Sequence, residues 1–331
     1  MKMATFDAGQ EPGSLPRIPW RGERVSRIIL GTVQLGMDYG VANTQGKPDA
    51  DRAVRIVGSA WQCGVRHFDT AQAYGDSEAV LGRALRELGV LDEAQIASKL
   101  SPTLDPTNPE SIADSIERTL ERLGKRRLWC MMLHVASWLD FWDEGLGEVL
   151  THCRDAGMIL HLGVSLNSPA EAERCLAHAD MEILQVACNA WDRRMPRLGV
   201  LDRARNTGRL CCARSIYLKG LLTLPPEEVA VRMGFAREAS IRWREIARRC
   251  DLSPVEMAVR FAIGLETPLV VGAETPEQIA DTVRIARKGH LDQKIVEAIS
   301  SALDPVLNDT ILTPRSWEDL DGVRLNPGRP R

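Results

Sequence analysis

The chain has 331 residues, of which 44% are hydrophobic, so it can bury a sizeable core. Its 42 Lys and Arg residues nearly balance its 45 Asp and Glu residues, for a formal net charge of −3, and the charges are interspersed. This pattern excludes a strongly basic nucleic-acid surface and a basic membrane-binding face. No apolar run reaches the roughly 18–20 residues of a membrane span, and residues 1–13 lack a signal-peptide pattern, so we expect a cytoplasmic protein.

The eight cysteines indicate neither disulfides nor a metal site. Cys130, Cys188, Cys211 and Cys212 lie inside apolar runs that are typical of buried strands. The sequence has no Cys-x-x-Cys pair, and its six histidines show no zinc-ligand spacing with the cysteines. We therefore expect reduced core thiols and no bound metal.

The chain predicts a loose segment, a hairpin and then a long alternation of strands and helices. Residues 1–17 are polar and contain Gly and Pro, and Arg21-Gly22 stands between two short possible strands, which favours a β-hairpin. Eight segments downstream have strand character: 28–31, 65–68, 95–98, 128–133, 159–164, 182–186, 210–214 and 269–271. Helical patterns lie between or after them: 49–62, 78–88, 109–123, 146–156, 169–177, 237–250, 254–264, 276–287 and 291–303.

Eight strands that alternate with helices predict a single (β/α)8 TIM barrel of the α/β class, which with its N-terminal hairpin covers residues 18–304. Residues 305–331 are predicted to form a C-terminal tail near the barrel mouth. The competing architecture is an open doubly wound sheet, which needs a Gly-x-Gly-x-x-Gly turn after the first strand. Residues 31–36 read Gly-Thr-Val-Gln-Leu-Gly and lack that spacing, so the sequence favours the barrel.

Four polar residues follow successive predicted strands. Asp69 ends the second barrel strand, Tyr74 lies in the loop after it, and Lys99 and His134 end the third and fourth strands. The carboxyl ends of barrel strands meet at one mouth, so we expect a solvent-lined site there. A lysine cation beside a phenol stabilises the phenolate, and an aspartate can orient the lysine. With a histidine to bond the substrate oxygen, such a phenol can protonate a carbonyl oxygen.

These segments resemble the aldo-keto reductase family. The strongest similarity runs from Gly64 through Asp69 and Tyr74 to Gly75, with Ser77 and Glu78 just after it. Weaker similarities follow in the family's order: Ser98-Lys99, Leu133-His134, Gly163-Val164-Ser165, Leu184-Gln185-Val186 with Asn189, Ala213-Arg214-Ser215 and Gly220-Leu221-Leu222.

The resemblance implies a nicotinamide-dependent oxidoreductase. Tyr74 would be the general acid/base, and Asp69, Lys99 and His134 would complete the catalytic set. Ser165 and Gln185 would hold the nicotinamide amide. The full set of implied cofactor-binding residues is Ser165, Gln185, Arg214, Ser215, Leu218, Gly220, Gly272, Glu274, Gln278 and Asp281.

Three departures from the family pattern concern the cofactor. Leu166 stands where many relatives carry Asn. Arg214 stands where relatives often place an aromatic ring, and its guanidinium can stack on the nicotinamide or bind an anionic substrate group. The loop 272–279 has Glu274 and Gln278 where Lys or Arg would hold a 2′-phosphate. The resemblance therefore implies NAD(P)H, with an NADP preference in doubt.

The leading hypothesis is an enzyme that interconverts a small carbonyl compound (aldehyde, ketone or sugar) and an alcohol. One alternative is a barrel retained as a cofactor-sensing or regulatory subunit with little turnover, and another is a cofactor-free lyase or isomerase that uses Lys99. No nucleic acid or membrane is expected as a partner, and the sequence does not determine the oligomeric state. Four tryptophans in the loops after strands or in the tail would either pack in those loops or line the barrel mouth: Trp138, Trp142, Trp191 and Trp317.

Overall fold

The computed structural model of the protein describes residues 15–319. The predicted loose segment 1–17 and the predicted tail 305–331 extend past these limits, so residues 1–14 and 320–331 lie outside the description. Between the limits, a hairpin, a closed barrel and a partly helical C-terminal segment follow one another along the chain.

The hairpin consists of β1 (Ile18–Trp20) and β2 (Glu23–Val25), which pair antiparallel. Arg21 and Gly22 have φ of 46° and 80°, the left-handed pair that a two-residue hairpin turn needs. Trp20 packs in the same buried cluster as side chains from the barrel interior, and its indole donates to a backbone carbonyl just before the seventh barrel strand. The predicted hairpin is confirmed, and it covers the end of the barrel where the strands begin.

Eight parallel strands close into a barrel in which consecutive strands are neighbours and the last strand pairs with the first. The predicted (β/α)8 fold is therefore confirmed. Most strand residues are buried, as expected when helices cover the outside of a barrel and side chains fill its inside. The barrel strands are β3 (Ile28–Gly31), β4 (His67–Asp69), β5 (Gln95–Lys99), β6 (Leu128–Leu133), β7 (Ile159–Leu166), β8 (Ile183–Ala187), β9 (Leu210–Arg214) and β10 (Leu269–Gly272).

The helices between the strands lie close to their predicted positions. Asn108, Ser168, Ser253 and Thr275 act as N-caps, since their side chains accept hydrogen bonds from backbone amides of the first turn. The α-helices are α1 (Val33–Gly36), α2 (Ala50–Gln62), α3 (Ser77–Glu87), α4 (Pro109–Leu123), α5 (Leu146–Asp155), α6 (Pro169–Leu176), α7 (Arg194–Arg197), α8 (Val200–Asn206), α9 (Pro226–Arg232), α10 (Arg237–Arg249), α11 (Pro254–Ile263), α12 (Pro276–Ala286), α13 (Gln293–Leu303) and α14 (Asp309–Leu312).

The sequence did not predict α1, α7, α8, α9 and α14, because each has seven residues or fewer and too few turns to show a helical period. Short 3₁₀ helices also occur in the connections: Ala136–Glu144, Leu218–Thr223, Gly234–Ala236 and Pro314–Asp319. All eight cysteines are free thiols; six of them are buried, and Cys63 and Cys250 are half-buried. Within residues 15–319, no helix is long and apolar enough to cross a membrane.

Candidate active site

A cavity of about 640 Å³ lies at the carboxyl ends of the barrel strands. Asp69, Tyr74 and His134 line it, while Lys99 lies behind its wall. The structure therefore brings the two predicted residue sets together around one space. Every residue that the resemblance assigns to cofactor binding also lines it: Ser165, Gln185, Arg214, Ser215, Leu218, Gly220, Gly272, Glu274, Gln278 and Asp281.

Lys99 forms a buried ion pair with Asp69. Its Nζ lies 2.8 and 2.7 Å from the two carboxylate oxygens and donates to the Thr70 carbonyl at 2.9 Å. Lys99 is 1% exposed, so the expectation of a solvent-lined position is wrong for this residue. Burial alone would lower the pKa of Lys99, but the carboxylate of Asp69 and the phenol of Tyr74 outweigh it and raise the pKa. Lys99 is therefore a fixed, buried cation.

Tyr74 lies between this cation and a histidine ring. The Nζ of Lys99 is 5.0 Å from the centre of the Tyr74 ring, and the ring of His134 packs edge-on to it with centres 5.7 Å apart. The loop that carries Tyr74 packs closely against Gly36 of α1, where an added Cβ would lie 1.8 Å from the Tyr74 carbonyl oxygen. Only glycine permits this approach, and the close contact helps to fix the tyrosine at the cavity wall.

His134 is a neutral imidazole at the same wall. Burial, followed by the charges of Lys99, Arg315 and Arg214, lowers the pKa of His134 to about 3. Its Nδ1 is buried and has no hydrogen-bond partner in the described part of the chain. A neutral imidazole has one donor and one acceptor nitrogen, so His134 can hold a carbonyl oxygen without adding charge.

Gln185, one of the predicted cofactor-binding residues, is hydrogen-bonded to the catalytic candidate Asp69. Its Nε2 donates to Asp69 Oδ1 at 2.6 Å, and its Oε1 is buried without a partner among residues 15–319. Ser165 pairs in register with Gln185 on the neighbouring strand and is 3% exposed. A nicotinamide carboxamide has two N–H donors and one carbonyl, and an orphaned buried acceptor beside a hydroxyl suits that group. The residues present therefore fit a nicotinamide cofactor.

Arg214 reaches from the end of β9 to the end of β7. Its guanidinium donates to the Leu166 carbonyl at 3.1 Å, to Asn167 Oδ1 at 2.7 Å and to Ser215 Oγ at 3.2 Å. The Leu166 side chain is fully buried, and Asn167, one position later, lines the cavity. These acceptors are uncharged, and Arg214 keeps its positive charge in the cavity.

The predicted adenosine loop is arranged by its own side chains. Gln278 Oε1 accepts from the Glu274 backbone amide at 2.7 Å. Burial raises the pKa of the Glu274 carboxyl, although Gln278 and the charge of Arg52 act in the opposite direction. Asp281 pairs with Arg284, N to O 2.9 Å, and both side chains are exposed. Arg284 is thus engaged outside the loop and does not turn back toward it.

The sequence did not single out the C-terminal residues that line the cavity. Leu312, Thr313, Pro314 and Arg315 form part of its wall, and Lys219 Nζ donates to the Pro314 carbonyl at 3.2 Å. These residues have no strand or helix period in the sequence and lie at least 125 residues beyond β8 along the chain. The only signal in the sequence was the predicted position of the tail near the barrel mouth.

None of the four tryptophans considered for the barrel mouth lines the cavity. Trp138, Trp191 and Trp317 are at most 5% exposed and belong to the buried clusters, and Trp142 packs against the core from its edge. The aromatic residues that do line the cavity are tyrosines. Loop packing is therefore the role that the structure assigns to these tryptophans.

The model of the Aldo/keto reductase family matches residues 27–304 of the chain. L-glyceraldehyde 3-phosphate reductase of Escherichia coli O157:H7 is 26% identical over 299 residues, which cover 78% of this chain and 85% of that relative. D-threo-aldose 1-dehydrogenase of Pseudomonas sp is 24% identical over 298 residues, covering 76% and 88%. Aldo-keto reductase YhdN of Bacillus subtilis (strain 168) is 28% identical over 212 residues, so the match spans 61% of each protein.

A solved structure supports the fold. The glycerol dehydrogenase from Gluconobacter oxydans superposes with a TM-score of 0.69 at 22% sequence identity, covering 90% of this chain and 97% of that one. At this identity the likeness concerns the barrel architecture alone. The chemistry of the cavity is argued from its own residues.

Proposed function

The chain belongs to the aldo/keto reductase family, and from this premise we propose that it interconverts a small carbonyl compound and its alcohol with a nicotinamide cofactor. The observation that carries the proposal is the buried Lys99–Asp69 ion pair placed against Tyr74 at the cavity wall. The side chains of Lys99 and Asp69 are 1% and 5% exposed, and an ion pair buried so deeply is costly to form. Its position beside the Tyr74 phenol indicates a role in the reaction. The names of the relatives, which are reductases and dehydrogenases, agree with this activity.

Tyr74 is the proposed general acid/base. In the reduction direction its O–H proton goes to the carbonyl oxygen while the carbonyl carbon receives a hydride, and the pair of electrons of the C=O π bond ends in the new O–H bond. The phenolate that remains is stabilised by the cation of Lys99, which Asp69 holds in place. Solvent then returns a proton to Tyr74. In the oxidation direction the phenolate takes the alcohol proton.

His134 orients the carbonyl oxygen. The neutral ring lies edge-on to Tyr74 at the same wall, so its N–H can bond the oxygen that Tyr74 protonates. A charged imidazolium there would compete with Tyr74 as the acid. The low pKa of His134, about 3, keeps the ring neutral across the physiological range and leaves proton transfer to the phenol.

A bound nicotinamide cofactor supplies or accepts the hydride. Ser165 and Gln185 would hold its carboxamide, because Gln185 Oε1 is a buried acceptor in need of a donor. Arg214 would stack on the nicotinamide or bind an anionic substrate group. The other cavity residues would contact the rest of the cofactor: Ser215, Leu218, Gly220, Gly272, Glu274, Gln278 and Asp281.

The proposal is tested by titrating NADH and NADPH against the intrinsic fluorescence of the eight tryptophans, followed by an assay with a model aldehyde. We expect saturable binding and aldehyde-dependent loss of reduced cofactor. Binding without turnover of any aldehyde would favour the alternative of a cofactor-sensing subunit. Absence of both binding and turnover would contradict the proposal outright.

A further inference from the structure

Two guanidinium groups face the proposed reaction site. Arg214 ends β9, and Arg315 comes from the C-terminal segment, yet both line the cavity together with Tyr74 and His134. The positive charge of Arg315 helps to lower the pKa of His134, and the phenol of Tyr74 acts on the pKa of Arg315, which places Arg315 at the proton-transfer end of the cavity. The adenosine loop with Gln278 is a different part of the wall.

The position of Arg315 is held by ordered neighbours. Ile311 and Trp317, on either side of it, are 1% and 0% exposed, and the indole of Trp317 donates to the Thr310 carbonyl at 2.9 Å. Lys219 donates to the carbonyl of Pro314, the residue before Arg315. The segment therefore presents Arg315 to the cavity mouth with both of its flanks fixed.

Neither guanidinium is paired with a carboxylate of residues 15–317, the range whose side chains the structure describes. The hydrogen bonds of Arg214 go to uncharged acceptors, and no carboxylate in that range forms an ion pair with Arg315. Glu171 is the acid whose charge acts on Arg315; it forms no ion pair with that arginine, and its carboxylate keeps its charge while it accepts a 2.6 Å hydrogen bond from the Asn167 backbone amide. Partial removal from water and the positive charge of Arg214 lower the pKa of Arg315.

The charges at the reaction site leave an excess of positive charge. Lys99 and Asp69 cancel each other, and His134 is neutral. Arg214 and Arg315 add two positive charges, and Glu171 acts on Arg315 without forming an ion pair with it. Two like charges brought together repel, and a negative ligand group between them relieves that repulsion. A guanidinium binds carboxylate and phosphate oxygens in a fork-like geometry.

We propose that the carbonyl substrate carries an anionic group, a carboxylate or a phosphate, which Arg315 and Arg214 bind. This inference rests on the proposed function and adds the substrate class to it. Arg315 is then a specificity-determining residue that binds the anionic group of the substrate rather than its carbonyl. The shared chemistry is an oxyanion, and the test separates its two sources.

The test compares kcat/KM within two matched pairs of aldehydes: 4-oxobutanoate with butanal, and glyceraldehyde 3-phosphate with glyceraldehyde. We expect the charged member of at least one pair to be preferred by tenfold or more, about 1.4 kcal/mol. The pair that shows the preference identifies the carboxylate or the phosphate as the group bound. Equal values within both pairs, with butanal and glyceraldehyde turned over, would overturn the inference and leave the proposed function intact.

Variants assign the preference to Arg315. Arg315→Gln should reduce it at least tenfold, and Arg315→Lys, which keeps the charge, should retain more of it than Arg315→Gln. Arg203→Gln is the matched control, because Arg203 is an exposed arginine paired with Glu173 outside the cavity, and it should leave the preference unchanged. A preference that persists in Arg315→Gln would overturn the role of this residue.

If no aldehyde is turned over, the proposed function fails, and calorimetry then decides the inference. Succinate and glycerol 3-phosphate are titrated into the wild type and into Arg315→Gln, with butanol and glycerol as neutral partners. Binding of an anion that weakens at least tenfold in Arg315→Gln supports the inference, and binding of neither anion overturns it.

Discussion

The side-chain amide of Gln185 donates a 2.6 Å hydrogen bond to Oδ1 of Asp69, the same carboxylate that holds the cation of Lys99. This contact ties the proposed carboxamide-binding side of the cavity to the proposed proton-transfer side. With Asp69 accepting from two buried donors, the orientation of all three side chains is coupled. Substitutions in the group formed by Lys99, Asp69 and Gln185 should therefore affect both the stability of the fold and the catalytic activity.

Lys99→Met should abolish aldehyde reduction and lower the free energy of unfolding by about 3–5 kcal/mol, because it leaves the Asp69 charge buried without its cation. Urea unfolding followed by fluorescence measures the loss. The double variant Lys99→Met/Asp69→Asn removes both charges, and it should recover much of the stability but none of the activity. A single variant as stable as the wild type would show that the ion pair does not stabilise the fold.

Tyr74→Phe should lower kcat for a model aldehyde by about 10²–10⁴, the usual contribution of a general acid. Binding of reduced cofactor should change little, because the substitution keeps the ring that packs against His134. Tyr217→Phe is the matched control. It removes another cavity hydroxyl, which bonds to Thr282 Oγ1 at 3.0 Å, and should lose far less activity. More than a tenth of wild-type activity in Tyr74→Phe would exclude Tyr74 as the proton donor.

NAD(H) should bind at least as tightly as NADP(H). A 2′-phosphate carries close to two negative charges and needs cations or strong donors. The stretch 272–278 contains no Lys or Arg, and Glu274 and Glu277 would repel the phosphate. Arg284, in the following helix, is already paired with Asp281.

Dissociation constants for the two reduced cofactors, measured side by side, decide the question. Gln278→Arg should shift the ratio toward the phosphorylated form, since a charged hydrogen bond contributes about 1.5–3 kcal/mol. A tenfold preference of the unmodified protein for NADPH, about 1.4 kcal/mol, would refute this prediction and move the phosphate contact to another cation.

Stability should fall as the pH drops below 6.5. Burial lowers the pKa of both His67 and His134 to about 3, whereas the unfolded chain has the ordinary value near 6.5. Between these values the unfolded state binds more protons, so acid favours unfolding by up to about 1.4 kcal/mol per pH unit for each histidine. The stability that the two neutral histidines contribute is fully present above about pH 6.5 and is lost as the pH falls toward 3.

Urea unfolding between about pH 7.5 and pH 5 tests this prediction. His67→Asn should flatten the pH slope even if its stability at neutral pH is lower, because one titrating group is gone. The exposed His152 provides the control, and His152→Asn should keep the wild-type slope. An identical slope in His67→Asn would show that this histidine is not kept neutral by burial.

The barrel and the positions of Asp69, Tyr74 and His134 at its mouth follow from local sequence patterns. Strand and helix periods are properties of short windows, and a parallel strand places the residues at its carboxyl end on a known edge. The hairpin turn at Arg21-Gly22 and the N-caps before Pro109 and Pro276 also depend on short stretches of sequence, since a turn or a cap needs only a few adjacent residues.

The pairing of these groups and their removal from water depend on how distant segments of the chain pack together. Lys99 is the last residue of a strand, and the sequence therefore predicts a position at the barrel mouth. In the structure it is buried against Asp69, 30 positions away. Gln185 donates a hydrogen bond to the same carboxylate from 116 positions away. Arg315 lies in a segment with no periodic pattern, and it reaches the reaction site because the buried Ile311 and Trp317 fix the backbone beside it. Contacts of this kind depend on packing between distant segments, and no local pattern encodes them.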